Sequence, residues 1–291
     1  MNPSEGQDQN TSPESPEVLD DNEALINEHE EVVSEDGKKV RRRGIYLLPN
    51  MLTTCAMFAG FYAVIAGMAG DFGHACIAII VAMALDGLDG RVARLTNTQS
   101  AFGAEYDSLS DMLSFGVAPA LICFSWALSE LGTLGWTAAF IYVACAALRL
   151  ARFNVQIGST DKRFFIGLAS PSAAGLVVFM VWAMTTYDVE VTPPLAVFAA
   201  IVTFTAGVLM VLNVRYYSFK DLDFRHRVPF FAILILIMVI VIIAWNPPLV
   251  MFTIAILYAL SGPAMAVYQR HQRTSHSVVA PGAATQTKID E

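Results

Sequence analysis

The sequence predicts an all-α integral membrane protein of about eight transmembrane helices. Three observations carry that prediction: 55% of the 291 residues are hydrophobic, only 15% are charged, and long apolar stretches recur along the chain. The mean hydropathy of +0.51 agrees. Soluble domains draw on about 25% charged residues to cover their surface, and this chain falls well short. So apolar a chain is not disordered as a whole. Its formal net charge of -8 gives no basic footprint, so no nucleic-acid partner is expected.

A helix crossing the hydrocarbon core needs about 20 mainly apolar residues. In order, the candidate spans are 49–69, 73–93, 107–128, 134–152, 171–187, 193–213, 229–245 and 248–268, joined by turns carrying Gly, Pro and Asp. Backbone groups in lipid must pair within their own segment, which makes a helical bundle the expected architecture. The second and third spans stand apart, because each contains carboxylates.

The charges are unevenly placed. Residues 1–37 hold twelve acidic residues and no Lys or Arg, and the remainder carries 18 basic against 14 acidic side chains, a net +4. That first segment lacks apolar periodicity and reads as a disordered acidic tail rather than a signal peptide. Lys and Arg cluster at 38–43, at Arg91 and Arg94, from Arg149 to Arg163, from Arg215 to Arg227, and from Arg270 onward. With eight alternating spans all of them fall on one side, while the opposite loops carry Asp71, Glu130, Asp188 and Glu190. The positive-inside rule then makes both termini and every basic loop cytoplasmic. The basic run Lys38 to Arg43 is placed to sit on anionic headgroups. Cys55, Cys76, Cys123 and Cys145 lie singly in apolar stretches and read as small buried hydrophobes. Trp126, Trp136, Trp182 and Trp245 fall near outer span ends, where an aromatic belt accounts for them.

The informative stretch begins Asp86-Gly87-Leu88-Asp89-Gly90-Arg91 and continues through Arg94 and Gly103 to Asp107 and Asp111. Asp86 and Asp89 share one helix face, as do Asp107 and Asp111. At 1.5 Å per residue both pairs lie roughly 12 Å from the cytoplasmic turn, so an antiparallel hairpin brings four carboxylates to one depth. An Asp at mid-bilayer costs about 2.5–3.5 kcal/mol, and converging anions repel. Two divalent cations would balance four carboxylates and leave room for substrate phosphates, whereas pairing with Arg91 and Arg94 accounts for only half of them. Gly90, beside Asp89, leaves the backbone open to a phosphorylated ligand, while Gly87, Ala93 and Gly103 suit close helix packing as well. Metal-bridged carboxylates facing a pyrophosphate suit phosphoryl transfer.

The spacing Asp86-x2-Asp89-Gly90-x2-Ala93-Arg94-x8-Gly103-x3-Asp107-x3-Asp111 resembles the signature of the CDP-alcohol phosphotransferases. That resemblance implies a six-helix core, residues 49–213, with the last two helices (229–268) added to it. A basic juxtamembrane segment (38–48) precedes the core, a basic loop (214–228) follows it, and residues 269–291 form a cytoplasmic tail. It also implies a homodimer, a cytoplasmic active site, and two divalent ions, Mg2+ or Mn2+. By resemblance, Asp86 and Asp107 bridge the ions, Asp89 joins one and Asp111 the other, and Asp111 takes the proton of the attacking hydroxyl. Asn50, Thr53, Gly90, Arg94 and Ser100 would contact the CDP-linked lipid.

The stretches Ala147 to Asn154, Phe165 to Gly175 and Tyr217 to Lys220 resemble the bacterial membrane-type phosphatidylserine synthases. The implied reaction joins CDP-diacylglycerol and L-serine to give phosphatidylserine and CMP, in the bacterial inner membrane. Serine needs a cation for its carboxylate, and Arg149 and Arg152 lie on the correct side, where topogenic charge is the other reading. Two alternatives remain at this point: the same chemistry on glycerol phosphate, inositol phosphate or choline, and an ion-coupled transporter.

Overall fold

The structure, a computed structural model, describes residues 32–35, 38–41, 47–96, 98, 100–156, 164–217 and 230–278. The chain divides into two units, Met1–Ile45 and Tyr46–Glu291. In the first, β1 (Val32–Glu35) and β2 (Lys38–Arg41) pair antiparallel, with Val32 opposite Arg41 and Glu35 opposite Lys38. The sequence reading puts 32–35 in a structureless tail, and the ribbon corrects it. Val32, Val33 and Val40 favour extended backbone, and the two intervening residues are Asp and Gly, the pair that two-residue hairpins prefer. The rest of the acidic tail, residues 1–31 and 36–37, lies outside the described residues.

The second unit is helical. Its rods are α1 (Leu47–Met68), α2 (Phe72–Leu95), a composite third rod, α5 (Thr133–Gln156), α6 (Ser170–Thr186), α7 (Pro193–Val211), α8 (Phe230–Trp245) and α9 (Pro247–Val278). The third rod joins α3 (Ala101–Asp111), a π-helical stretch (Met112–Val117) and α4 (Ala118–Trp126). Two short strands, β3 (Phe164–Ile166) and β4 (Arg215–Tyr217), pair antiparallel. Among the described residues five helices are long and apolar enough to cross a bilayer: Leu47–Met68, Phe102–Trp126, Thr133–Val155, Pro193–Val211 and Pro247–Ala266. Among the other rods, α2 has the length but carries Asp86, Asp89, Arg91 and Arg94, while α6 and α8 are apolar but shorter. The molecule is an all-α, multi-pass membrane protein.

Local chemistry sets the boundaries. Asp71 caps α2 by accepting from the His74 N–H at 3.2 Å. Hydrogen bonds from His74 hold this exposed carboxyl below the usual carboxylate range. The third rod starts six residues earlier than the apolar pattern suggests, because Ser100 caps it by accepting from the Gly103 N–H at 2.8 Å. Of the extra turns, Gly103, Ala104 and Glu105 face a cavity. Helix α9 runs ten residues past the expected end at 268.

Small residues let α1 approach its neighbours. A Cβ on Gly60 would sit 2.8 Å from Ser114 Cα, and one on Gly67 2.9 Å from Ile122 Cγ1. Such contacts replace hydrophobic driving force in lipid. Ser110 and Ser114 donate to the Thr53 and Ala56 carbonyls, both at 3.2 Å, stitching the third rod to α1.

Helix α6 is the centre of the bundle. Leu176 through Val181 are all buried, and the helix packs against α2, α4, α7 and α9. A helix surrounded by protein is apolar on every face, which the sequence around Leu176 shows. The last helix is therefore part of the packed body, and Tyr216 from β4 donates to the Ala259 carbonyl at 3.0 Å. All four cysteines are free; Cys76 and Cys123 are buried as expected, whereas Cys145 is half-buried and Cys55 is exposed, which corrects the reading of them all as buried. Trp126 departs from the belt reading, since it lies in the core, whereas Trp136 and Trp245 are exposed.

Candidate active site

The end of α2 and the start of the third rod meet beside the N-terminal end of α1. Asp86, Asp89 and Asp107 each direct a carboxylate oxygen into one cluster, these atoms all within 4.8 Å of one another. Asp89 is buried, 4% exposed, and Thr53 Oγ1 lies 2.8 Å from its Oδ2 and 3.1 Å from the Pro49 carbonyl. The single hydroxyl proton serves one acceptor at a time. Thr54 and Tyr106 meet at 2.9 Å and fasten α1 to α3 a second time.

Asp111 stands apart from that cluster. Its side chain lies against that of Asp86, and it feels the charge of Arg149 from α5. Asp111 is the last α-helical residue before the π stretch. Pro119 has no N–H to donate to the Phe115 carbonyl, and Tyr142 Oη donates there instead at 2.9 Å. The widened turn thus has a local cause, and π turns concentrate at functional sites. Periodicity alone missed it; Pro119 inside an apolar run was the available signal.

Next to the carboxylates lies a cavity of about 690 Å³. Asn50, Thr53, Gly90, Arg94 and Ser100, the five residues expected to touch the CDP-linked lipid, all line it together with Asp89 and Asp107. A Cβ on Gly90 or on Gly87 would meet nothing within 4 Å, so neither is a packing glycine. Gly103 differs: a Cβ there would press on Ser100 Oγ at 2.9 Å, against the very oxygen that caps α3. The sequence reading missed three polar wall residues, Thr98, Glu105 and Asn154.

The two arginines expected near the acceptor part company. Arg149 donates from Nη1 to Ser170 Oγ at 2.5 Å, and its buried Nε has no hydrogen-bond partner among the described residues. Arg152 donates to the Val211 carbonyl at 3.3 Å and to Asn213 Oδ1 at 2.6 Å, which commits it to the end of α7. Neither lines the cavity. Ser170 is placed by the loop before it, where the Gly167 and Leu168 N–H groups donate to Val214 and Leu209 carbonyls at 2.8 and 2.9 Å. Gly167 has φ +84°, a conformation that L side chains rarely adopt.

A family model for CDP-alcohol phosphatidyltransferases matches residues 46–203, more than half of the chain and the whole of this site. The chain belongs to that family. Among its relatives, a CDP-diacylglycerol–serine O-phosphatidyltransferase of Helicobacter pylori is 38% identical over 197 residues, 68% of this chain and 83% of the relative. One of the same name from Mycobacterium bovis is 41% identical over 145 residues, 47% of this chain and 50% of that one. An archaetidylserine synthase of Methanothermobacter thermautotrophicus is 34% identical over 171 residues, covering 58% and 69%. The CDP-alcohol phosphatidyltransferases are divalent-metal dependent in general, and three converging carboxylates are the hard oxygen donor set such a cation takes.

Gly90 offers a clean test of the cavity. Gly90→Ala meets no protein atom and should fold normally, yet the added methyl occupies the ligand's approach. The expected result is at least about tenfold weaker use of the CDP-linked substrate, equivalent to ~1.4 kcal/mol, with unchanged thermal stability. Wild-type kinetics would remove Gly90 from the binding surface.

Proposed function

We propose that the protein transfers the phosphatidyl group of CDP-diacylglycerol to the hydroxyl of L-serine, giving phosphatidylserine and CMP. One observation carries the reading: a carboxylate cluster borders a cavity lined by Arg94 and Gly90, and Asp111, which feels the charge of Arg149, adjoins Asp86. The relatives' names supply the acceptor. Asn50, Gly90, Arg94 and Ser100 hold the cytidine diphosphate, with Arg94 offering charge to the phosphates. Asp86, Asp89 and Asp107, with Asp111 completing the set, hold two divalent ions, Mg2+ or Mn2+. Bound there, such ions neutralise charge on the diphosphate and polarise its phosphorus–oxygen bonds.

Asp111 accepts the serine hydroxyl proton as the oxygen forms a bond to the lipid-side phosphorus. The bond from that phosphorus to the CMP oxygen breaks, and CMP leaves with the electron pair. Arg149, with a free buried Nε, receives the serine carboxylate. The positive-inside distribution supports a cytoplasmic site in a bacterial inner membrane, and the family resemblance supports a homodimer. The segments 1–37 and 38–48 then belong to the cytoplasmic face.

The test is CMP release by purified protein from CDP-diacylglycerol, with a divalent cation and one acceptor at a time. Release with serine, and its loss on chelation, is the expected result. Release with glycerol phosphate and not serine would overturn the acceptor while sparing the chemistry.

A further inference from the structure

The cavity contains one carboxylate outside the aspartate set. Glu105 is exposed in the cavity wall, and among the described residues it has no ion-pair partner. Its recorded hydrogen bond comes from the Asn154 amide, Nδ2 to Oε2, at 3.4 Å. Asn154 in turn exchanges hydrogen bonds with Ser108, Nδ2 to Oγ at 3.1 Å and Oγ to Oδ1 at 3.2 Å. The pair therefore bridges α3 and α5, and with both Asn154 amide hydrogens committed it presents the Glu105 carboxylate as an acceptor.

Of the other polar groups of the wall, Asn50, Arg94 and Ser100 belong to the proposed diphosphate contacts, and the threonines are engaged. Thr53 serves Asp89 or Pro49, Ser100 caps α3, and Thr98 meets Thr96 at 2.7 Å. Arg94, a cation, suits phosphate. Glu105 lines the same cavity two residues before Asp107 in α3, within the length of a nucleotide whose diphosphate lies at Asp89 and Asp107. Cytosine presents an amino donor at N4 beside an acceptor at N3. Uracil presents the reverse, a carbonyl acceptor at O4 and a donor at N3. Carboxylates accept from cytosine N4 in base recognition generally.

We propose that Glu105 reads the base edge by accepting from cytosine N4, its carboxylate held in place by the Asn154 amide, so that Glu105 selects cytidine over uridine nucleotides. The assignment deepens the proposed function and rests on it. A carboxylate facing uracil O4 leaves two acceptors opposed, which is the origin of the discrimination.

The experiment measures CDP and UDP binding to the full-length protein in detergent with Mg2+, for wild type and Glu105→Gln. Glutamine keeps the shape and can still accept from Asn154, but its amide can also donate to uracil O4. Wild type should favour CDP, and E105Q should lower the CDP-to-UDP affinity ratio by roughly 5- to 150-fold, the range of one base-edge contact. An equal loss for both nucleotides, as for a ribose contact, overturns the proposal. So does an unchanged ratio accompanied by a raised serine KM, which would make Glu105 an acceptor residue. A wild-type protein that releases CMP normally while E105Q keeps its ratio sinks this assignment alone. A wild type that binds neither nucleotide removes the proposed function with it.

Discussion

Asp111→Asn should lower kcat for CMP release by about 10²- to 10⁴-fold, the usual contribution of a positioned general base. The substitution preserves size and can keep contact with Asp86, but an amide takes no proton from the serine hydroxyl. Asp111 also belongs to the proposed ion set, but it lies outside the cluster formed by Asp86, Asp89 and Asp107, so its loss should disturb ion binding less than theirs. Asp107→Asn should raise the divalent-ion concentration needed for half-maximal rate, whereas Asp111→Asn should act chiefly on the saturated rate. Thermal unfolding of the purified variant checks that the bundle survives. A saturated rate within twofold of wild type would remove Asp111 as the base.

The second large effect belongs to the acceptor. Arg149→Lys keeps the charge near Asp111 but removes the planar fork and the Nε that lacks a partner. Loss of a charge-assisted hydrogen bond is worth about 1.5–3 kcal/mol, so the serine KM should rise roughly 10- to 150-fold. The KM for CDP-diacylglycerol should stay as it was, since Arg149 does not line the cavity. Arg152→Lys is the control: its partners are the Val211 carbonyl and Asn213, so its effect should fall on stability rather than on serine. If Arg149→Lys weakened the lipid substrate and left serine untouched, the two sides of the site would have to be exchanged.

Much of this architecture was legible in the residues. Apolar stretches of span length located the rods, and the Asp spacing located the site, because carboxylates in an apolar helix need a reason to be there. Gly90 was legible as an open position for the same reason. Other features depended on partners distant in sequence. Nothing near Arg152 announces Asn213, and nothing near Tyr142 announces the carbonyl that Pro119 leaves free. Trp126 looked like a belt residue because position along a span says nothing about which face meets lipid. Glu105 was passed over since a charge near a span end reads as a solvated residue until the cavity beside it is seen.

The burial of α6 has a consequence for how the molecule is made. This helix carries Ser170, the partner of Arg149, and one of its walls is α9. A ribosome adding ~5–20 residues per second reaches α9 roughly 60 residues and several seconds after finishing α6. During that interval the α6 flank awaiting α9 must face lipid or another protein. Asp86, Asp89, Asp107 and Asp111 have been synthesised by then, but the helix that carries Ser170 gains this wall only once α9 has followed.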